Sequence, residues 1–481
     1  MKRILAFSLS AALLTACSGD VSPTGMDAKF GRDGDPTLSV GGGAIAIVTH
    51  DDDSGKGSLR AAVEQANADP AIRRIEIKPA ARTIRLQSSV VYTGAQARTI
   101  IGKNTVIDAS NANGSALVAI GGSSLTVESL TLRGANGQGL EVQVPAAATG
   151  VISIVLRDVT VEDNTGHGLL INDQVETETT DGVQPNANGS DASLAVTIEN
   201  SRFLRNGYSV SDRDGVRINE GGVGSLDFTA RNVRSEDNAA DGIELDERGT
   251  GDVRIDVADT FILRNGKFDP TDFDDGFDID EYDAGGIIGT MVRTTASDNF
   301  EEGLDFNENN AGDLLVDLTD VVANGNDEEG IDYEEDDDFA GGGNLLTTMV
   351  RVTANRNGGD GGLKIREKGV GDLLANVTTV EASGNVVSGI FIREDAAGNL
   401  SSSISNAQTR ANGAHGIDFD ENSTGNLTAS VSQSVSTTNT LYGLRADQQT
   451  TGTGTLRLTN VALSGNVTGT TTGNVAPTIV P

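Results

Sequence analysis

The chain has 481 residues, with 60 glycines, 9 prolines, one cysteine, no tryptophan and 70 acidic against 35 basic side chains, a formal net charge of −35. Such a surface repels phosphate and all but excludes a nucleic-acid partner, and one cysteine builds neither a disulfide framework nor a cysteine zinc site. Glycine well above its usual ~7% beside 37% apolar residues describes short apolar segments separated by many tight turns, a repetitive all-β chain.

Met1-Lys2-Arg3 is basic, residues 4–14 are apolar but too short to span a bilayer, and Leu14-Thr15-Ala16-Cys17 follows directly. This arrangement resembles the lipobox of bacterial lipoproteins. The resemblance implies that residues 1–16 are a signal peptide, that Cys17 is lipidated, and that Ser18 next to it directs the protein to the outer membrane. Residues 17–43 then read as a flexible tether. An ordinary cleaved signal is the alternative, but the chain's single cysteine falls at the cleavage point. In the following segment, 44–81, Ser58 suits the N-cap of a helix near 58–67 whose Leu59, Ala62, Val63 and Ala66 share one face.

Further on, a Gly-apolar-x-apolar motif recurs at Gly215, Gly242, Gly276, Gly303, Gly330, Gly362, Gly389, Gly416 and Gly443, at steps of 27, 34, 27, 27, 32, 27, 27 and 27 residues. Looser copies begin at Gly139 and Gly168. A second apolar set with period two follows in each repeat, for example Val253, Ile255, Val257 or Leu314, Val316, Leu318, and period two is the signature of a strand. Asparagine then recurs 23 positions after the glycine, at Asn238, Asn265, Asn299, Asn326, Asn385, Asn412, Asn439 and Asn466. Asparagine tolerates the left-handed conformation and can bond its own backbone at a sharp corner, so a ladder of stacked corners is expected. Three short strands and three turns per 27 residues predict a single-stranded right-handed parallel β-helix. A β-propeller blade needs ~40 residues, and a leucine-rich repeat needs a helical return that is missing.

With these glycine and asparagine columns, residues 82–470 resemble the pectin-lyase-like β-helix superfamily. Gly57-Ser58-Leu59-Arg60-Ala61-Ala62-Val63 is similar to the Ser-Leu-Arg-Glu-Ala-type motif of bacterial surface β-helix proteins, which implies an N-terminal capping helix over the first coil. The Thr- and Gly-rich far end offers no matching plug, and 471–481 reads as a tail.

In each Gly-x strand the residues flanking the two inward apolar positions point out. Over four coils these are Asp241, Glu244, Asp246; Asp275, Asp278, Asp280; Glu302, Asp305, Asn307; and Glu329, Asp332, Glu334, of which eleven are carboxylates. Coils stack ~4.8 Å apart, so the carboxylates form a dense array that repels itself. Residues 267–339 hold 25 acidic side chains and only two basic ones, Lys267 and Arg293. Oxygen-only ligands select Ca²⁺, the expected counter-charge, over transition metals; a solvated acidic surface is the bland alternative. The sign reverses on the next rungs at Lys364, Arg366 and Arg393. Superfamily lyases that resemble this fold pair Ca²⁺ with a basic side chain in β-elimination on a polyuronate, which makes Lys364 the candidate base and Arg366 or Arg393 its carboxylate partner. Salt bridges to the acidic array explain the same residues without catalysis. Gly166-His167-Gly168 resembles the Gly-His-Gly of polygalacturonase-like hydrolases, but the repeat accounts for both glycines. Phe268, Phe273, Tyr282 and Phe339 fall in connecting or inserted stretches, as loop packing or a sugar-stacking wall. The leading expectation is an outer-membrane lipoprotein that binds Ca²⁺ on its acidic face and through it a surface polysaccharide. A Ca²⁺-dependent polysaccharide lyase and a structural or adhesive spacer are the alternatives.

Overall fold

The computed structural model describes residues 38–40, 43–173, 189–209, 212–268, 274–336 and 342–480. Cys17, the signal segment, nearly all of the tether, Phe273 and Phe339 lie outside them.

The period-two segments become strands, three to a coil. In the coil that opens at Gly215 these are Val216–Glu220, Leu226–Arg231 and Arg234–Glu236. Each pairs in parallel with its counterpart one repeat on: Val216 with Ile243, Leu226 with Val253 and Arg234 with Phe261. The first strands of successive coils form one 14-stranded sheet, while second and third strands merge into a 24-stranded sheet that turns a corner. That corner is one residue in the left-handed region, Asn232 (φ 52°), Asp259 (φ 54°), Arg293 (φ 51°) and Asp320 (φ 57°) in successive coils. The coils wind as a right-handed parallel β-solenoid.

Alternation turns the two apolar residues of each Gly-x strand into the bore. Ile243, Phe277, Leu304 and Ile331 are fully buried in one column, and Leu245, Ile279, Phe306 and Tyr333 in the next. Phe277, Phe306 and Tyr333 run up the interior with ring centroids 6.4 and 4.7 Å apart, and the buried Tyr333 hydroxyl donates to the Val316 carbonyl at 3.2 Å.

The asparagines do stack, but not as expected. The left-handed residue is the one before each asparagine, such as Asp237, Arg264 and Asp298. Each asparagine bonds the next coil rather than its own backbone: Asn238 donates to Asn265 Oδ1 from its backbone N (3.1 Å) and its Nδ2 (3.0 Å), and Asn265 does the same to Asn299. The carboxamide is thus the hydrogen-bond partner that the corner backbone N–H lacks locally. Asn164, Asn206 and Asn357 belong to the same ladder; the insertion between Gly330 and Gly362 hid Asn357 from the spacing.

Helix α1 (Leu59–Ala68) is N-capped by Ser58, whose Oγ accepts from the Ala61 N–H at 3.2 Å, and it buries Leu59, Ala62, Val63 and Ala66. Parallel pairing starts before residue 82: Gly43–Val48 already pairs with Ile72–Ile77. It also runs past 470, because Pro477–Val480 pairs with Gly454–Thr459. Among the described residues no helix is long and apolar enough to cross a membrane.

Candidate cation-binding face

Register places the acidic positions in columns. Glu244 stands beside Asp278, which stands beside Asp305, then Asp332, and the column then turns basic at Lys364. The neighbouring column runs Asp246, Asp280, Asn307, Glu334, Arg366 and Arg393. These side chains point away from the bore, yet they are not a solvated fringe. Asp241, Glu244, Asp246, Asp275, Glu329 and Asp332 are buried, and Asp278, Asp280, Glu302, Asp305 and Glu334 are half-buried. Buried like charges are expensive, so each part of the face needs a proton, a basic partner or a cation.

At the N-terminal end the partner is a residue that spacing did not single out. Arg217 lies 2.8 Å from Asp212 and 3.0 Å from Asp246 and also contacts Glu244, while Arg248 adds a 3.3 Å contact to Asp246. This guanidinium neutralises the converging group Asp212, Asp214 and Glu244. His167 is buried beside them, its Nδ1 accepting the Asp214 N–H at 3.0 Å, so the Gly-His-Gly sequence is part of the stack.

At the other end Lys364 lies 2.6 Å from Asp332 and 2.7 Å from Glu334. Burial opposes its charge, but Asp332 and Glu334 outweigh burial and hold it protonated well above the ordinary lysine range. A general base must be neutral; this ammonium is a locked counter-ion. Arg366 and Arg393 both close on Asp395, each at 2.6 Å, which leaves neither directed at a substrate carboxylate. The geometry therefore favours the salt-bridge reading of this basic rung over the elimination chemistry.

Between these ends lies a stretch in which Asp275, Asp278, Glu302 and Asp305 have no basic partner among the described ion pairs, while Glu329 at its far edge lies 3.9 Å from Lys364. Three overlapping groups of carboxylate oxygens converge there: Asp275, Asp278 and Asp305; Asp275, Glu301 and Glu302; and Glu302, Glu328 and Glu329, the members of each within 4.8 Å of one another. Glu301 and Glu328 escaped the sequence reading because they precede the outward positions of the strand. One oxygen of Asp275 is spent on the Glu302 backbone N–H at 2.7 Å, and Asp305 Oδ2 accepts from Asn307 Nδ2 at 2.8 Å. Asp278 Oδ1 and Asp305 Oδ1 are buried atoms without a partner. Burial first, then the neighbouring carboxylates, raises Asp275, Asp278 and Asp305 well above the usual range, and the same causes push Glu302 to about 8. Asp280 is pushed to about 6 by burial and Asp246, and the Tyr282 hydroxyl donates to it. The set fits a Ca²⁺ ion: every donor is oxygen, and two buried oxygens lack any other bond. Oxygens ~2.4 Å from a shared ion are at most ~4.8 Å apart.

Farther along the same face, His415 and Tyr442 stack at 5.9 Å, and burial together with Arg445 lowers the imidazole to about 4. The sequence reading passed over both because they occupy the repeat's pre-glycine position without a motif around them.

Fold and face together define a right-handed parallel β-helix with an acidic outer sheet. No family model and no curated protein matches the chain. Among solved structures it is similar to a periplasmic alginate epimerase, at 12% identity over 88% of this chain and 89% of that one, with a TM-score of 0.30. An α-1,3-glucanase catalytic domain in complex with nigerose matches at 11% identity over 90% and 68%, with a TM-score of 0.37. The A-module of a mannuronan C-5 epimerase from Azotobacter vinelandii matches at 11% identity over 88% and 94%, with a TM-score of 0.27.

Proposed function

We propose that the protein is a cation-dependent carbohydrate-binding β-helix whose Asp275, Asp278, Glu302 and Asp305 hold Ca²⁺. The observation that carries this reading is the pair of buried, unpartnered oxygens on Asp278 and Asp305 inside a converging carboxylate group, Asp275, Asp278 and Asp305, that enters none of the described ion pairs. Ca²⁺ takes 6–8 oxygens, more than the three that any one converging group brings together at one oxygen per residue, so coordination positions are left for the carboxylates and hydroxyls of an acidic polysaccharide. Calorimetric titration of the processed chain tests the ion. Saturable binding and a raised unfolding midpoint are expected, with about 2.7 kcal/mol gained at a hundredfold excess over Kd. A midpoint that is the same in EGTA and in millimolar Ca²⁺ sinks the proposal. Retention on an immobilised polyuronate, lost on chelation and absent on a neutral glucan, tests the glycan.

The proposed address is the outer membrane, through a lipid on Cys17. Incorporation of labelled fatty acid that disappears in Cys17→Ser supports it; labelling that persists rejects it.

A further inference from the structure

The first and third residues after each column glycine face the bore, and so does the fifth, where the sequence places glutamate eight times: Glu220, Glu247, Glu281, Glu308, Glu335, Glu367, Glu394 and Glu421. All eight are 0% exposed. Register sets each directly beside the next, and Gln448 follows Glu421 in the same column. The turn that seals this column stacks glycine on glycine. Gly343, Gly371, Gly398 and Gly425 stack so closely that a Cβ on any of the last three would lie 1.4–1.5 Å from the carbonyl oxygen of the glycine before it.

The ladder is short of donors. Turn N–H groups satisfy one oxygen of some members, as Ala396 does for Glu394 Oε1 (2.8 Å) and Ser423 for Glu421 Oε1 (3.1 Å). Both oxygens of Glu367, and Oε2 of Glu394 and of Glu421, are buried with no donor. Glu367 faces Glu335 and Glu394, and Glu394 faces Glu421, within hydrogen-bonding reach. An acceptor facing an acceptor in a dry interior is stable only if something positive lies between them. A straight column does not gather three carboxylates around one point; every such gathering among the described residues lies on the outer face. That leaves the smallest cation.

We propose that the Glu367, Glu394 and Glu421 run is a buried proton-binding site, in which facing carboxyls share protons and tie adjoining coils together by O–H···O bonds. Burial first, then the facing carboxyls, pushes Glu367 to about 11 and Glu394 to about 8, and burial raises Glu421 against the hydrogen bond it shares with Glu394. Besides one another, the groups facing the run are Glu335 on one side, the Gln448 amide on the other, and Asp420 beside Glu421. Lys368 and Asp395, which begin the sealing turns, are engaged outward, Lys368 with Glu334 and Asp336 and Asp395 with Arg366 and Arg393. These pKa values lie above the unfolded value, so the ladder's stabilisation is complete below the ordinary glutamate pKa and is lost as pH rises through about 8 and on toward 11.

The test uses the whole chain in saturating Ca²⁺, which on the proposed function ionises the outer face and takes it out of the titration. At neutral pH the folded protein shows the infrared carbonyl band of protonated carboxylic acids, and Glu367→Gln diminishes it; Gln448 shows that the column accepts an amide. Unfolding releases one proton fewer in Glu367→Gln, so its unfolding equilibrium changes by a factor of ten less per pH unit above neutrality. Absence of the band in the wild-type protein overturns the proposal even if the variant does not fold. An unchanged pH slope in a folded Glu367→Gln also overturns it, as does stability that, at fixed pH and fixed ionic strength, rises when Na⁺ or K⁺ replaces tetramethylammonium, which would place a metal cation in the column.

Discussion

Two stacks of aspartate in this solenoid meet opposite fates. At the corners the stack alternates in sign: Arg264 forks onto Asp237 at 2.7 and 2.9 Å, Arg293 onto Asp259 at 2.6 and 2.7 Å, and Arg351 onto Asp320 at 2.5 and 2.7 Å. The hydrogen bonds from Arg293 and Arg351 hold Asp259 and Asp320 below the usual carboxylate range. On the outer face Asp278, Asp305 and Asp332 follow one another without alternation, and burial with mutual repulsion raises all three. In a coil stack each side chain's nearest neighbour is its own copy one turn on. Faithful repetition of a charge therefore builds repulsion, and a single change of sign removes it. The chain makes that change at the corners and withholds it over three coils of one face, which is why a ligand is proposed there.

The most disruptive way to test the comparison is to take away a sign change where the array ends. Lys364→Ala leaves the buried Asp332 and the half-buried Glu334 without their shared ammonium, and a destabilisation of about 3 kcal/mol is expected in chemical denaturation without Ca²⁺. If Lys364 were a catalytic base instead, the variant would keep its stability and lose polyuronate cleavage. Inside the array, Asp278→Asn or Asp305→Asn removes a ligand. Ca²⁺ affinity should fall by at least ~30-fold, about 2 kcal/mol by calorimetry, while the apo protein becomes more stable because a repulsion has gone. An unchanged affinity in both variants would move the ion to the Glu302, Glu328 and Glu329 group.

The fold was legible because the bore enforces it: period two and a 27-residue step leave one way to bury Ile243, Phe277, Leu304 and Ile331. The outward columns followed from the same parity. Two things did not. Which carboxylates are already satisfied depends on where long side chains reach, and no spacing told that Arg217 would span Asp212 and Asp246 or that Lys364 would bridge Asp332 and Glu334. The fifth-position glutamates were passed over because they look like more acidic surface, although extending the inward positions from one and three to five would have placed them inside. The asparagine corners were misassigned by one residue for a related reason. Tolerance of a left-handed backbone is a local property, whereas the ladder uses the carboxamide to bridge coils.

Without cation the face should weaken as pH rises. Folded pKa values of Asp275, Asp278, Glu302 and Asp305 lie above their unfolded values, so the free energy favouring the folded state is complete below about pH 4 and declines as these groups are forced to ionise. Glu302, at about 8, contributes a loss of about 1.4 kcal/mol per pH unit between the unfolded value and 8. On the proposed function Ca²⁺ would take only the ionised form, so binding should release protons and tighten as pH rises, and the midpoint measured in Ca²⁺ should be flatter with pH than that measured in EGTA. Parallel profiles would mean that the carboxylates are not the ligands.

The smallest effect is expected at the corners. Arg264→Ala deletes a fork whose side chains are 41% and 44% exposed, so water screens most of the attraction and a loss of about 0.5 kcal/mol is expected, shrinking further in high salt. The variant should leave Ca²⁺ affinity untouched, because Asp237 stands at the Asn238 corner and not on the outer sheet. A corner variant that weakened Ca²⁺ binding as much as Asp305→Asn would show that the two stacks are coupled through the coil, and that local sign alternation is not what separates them.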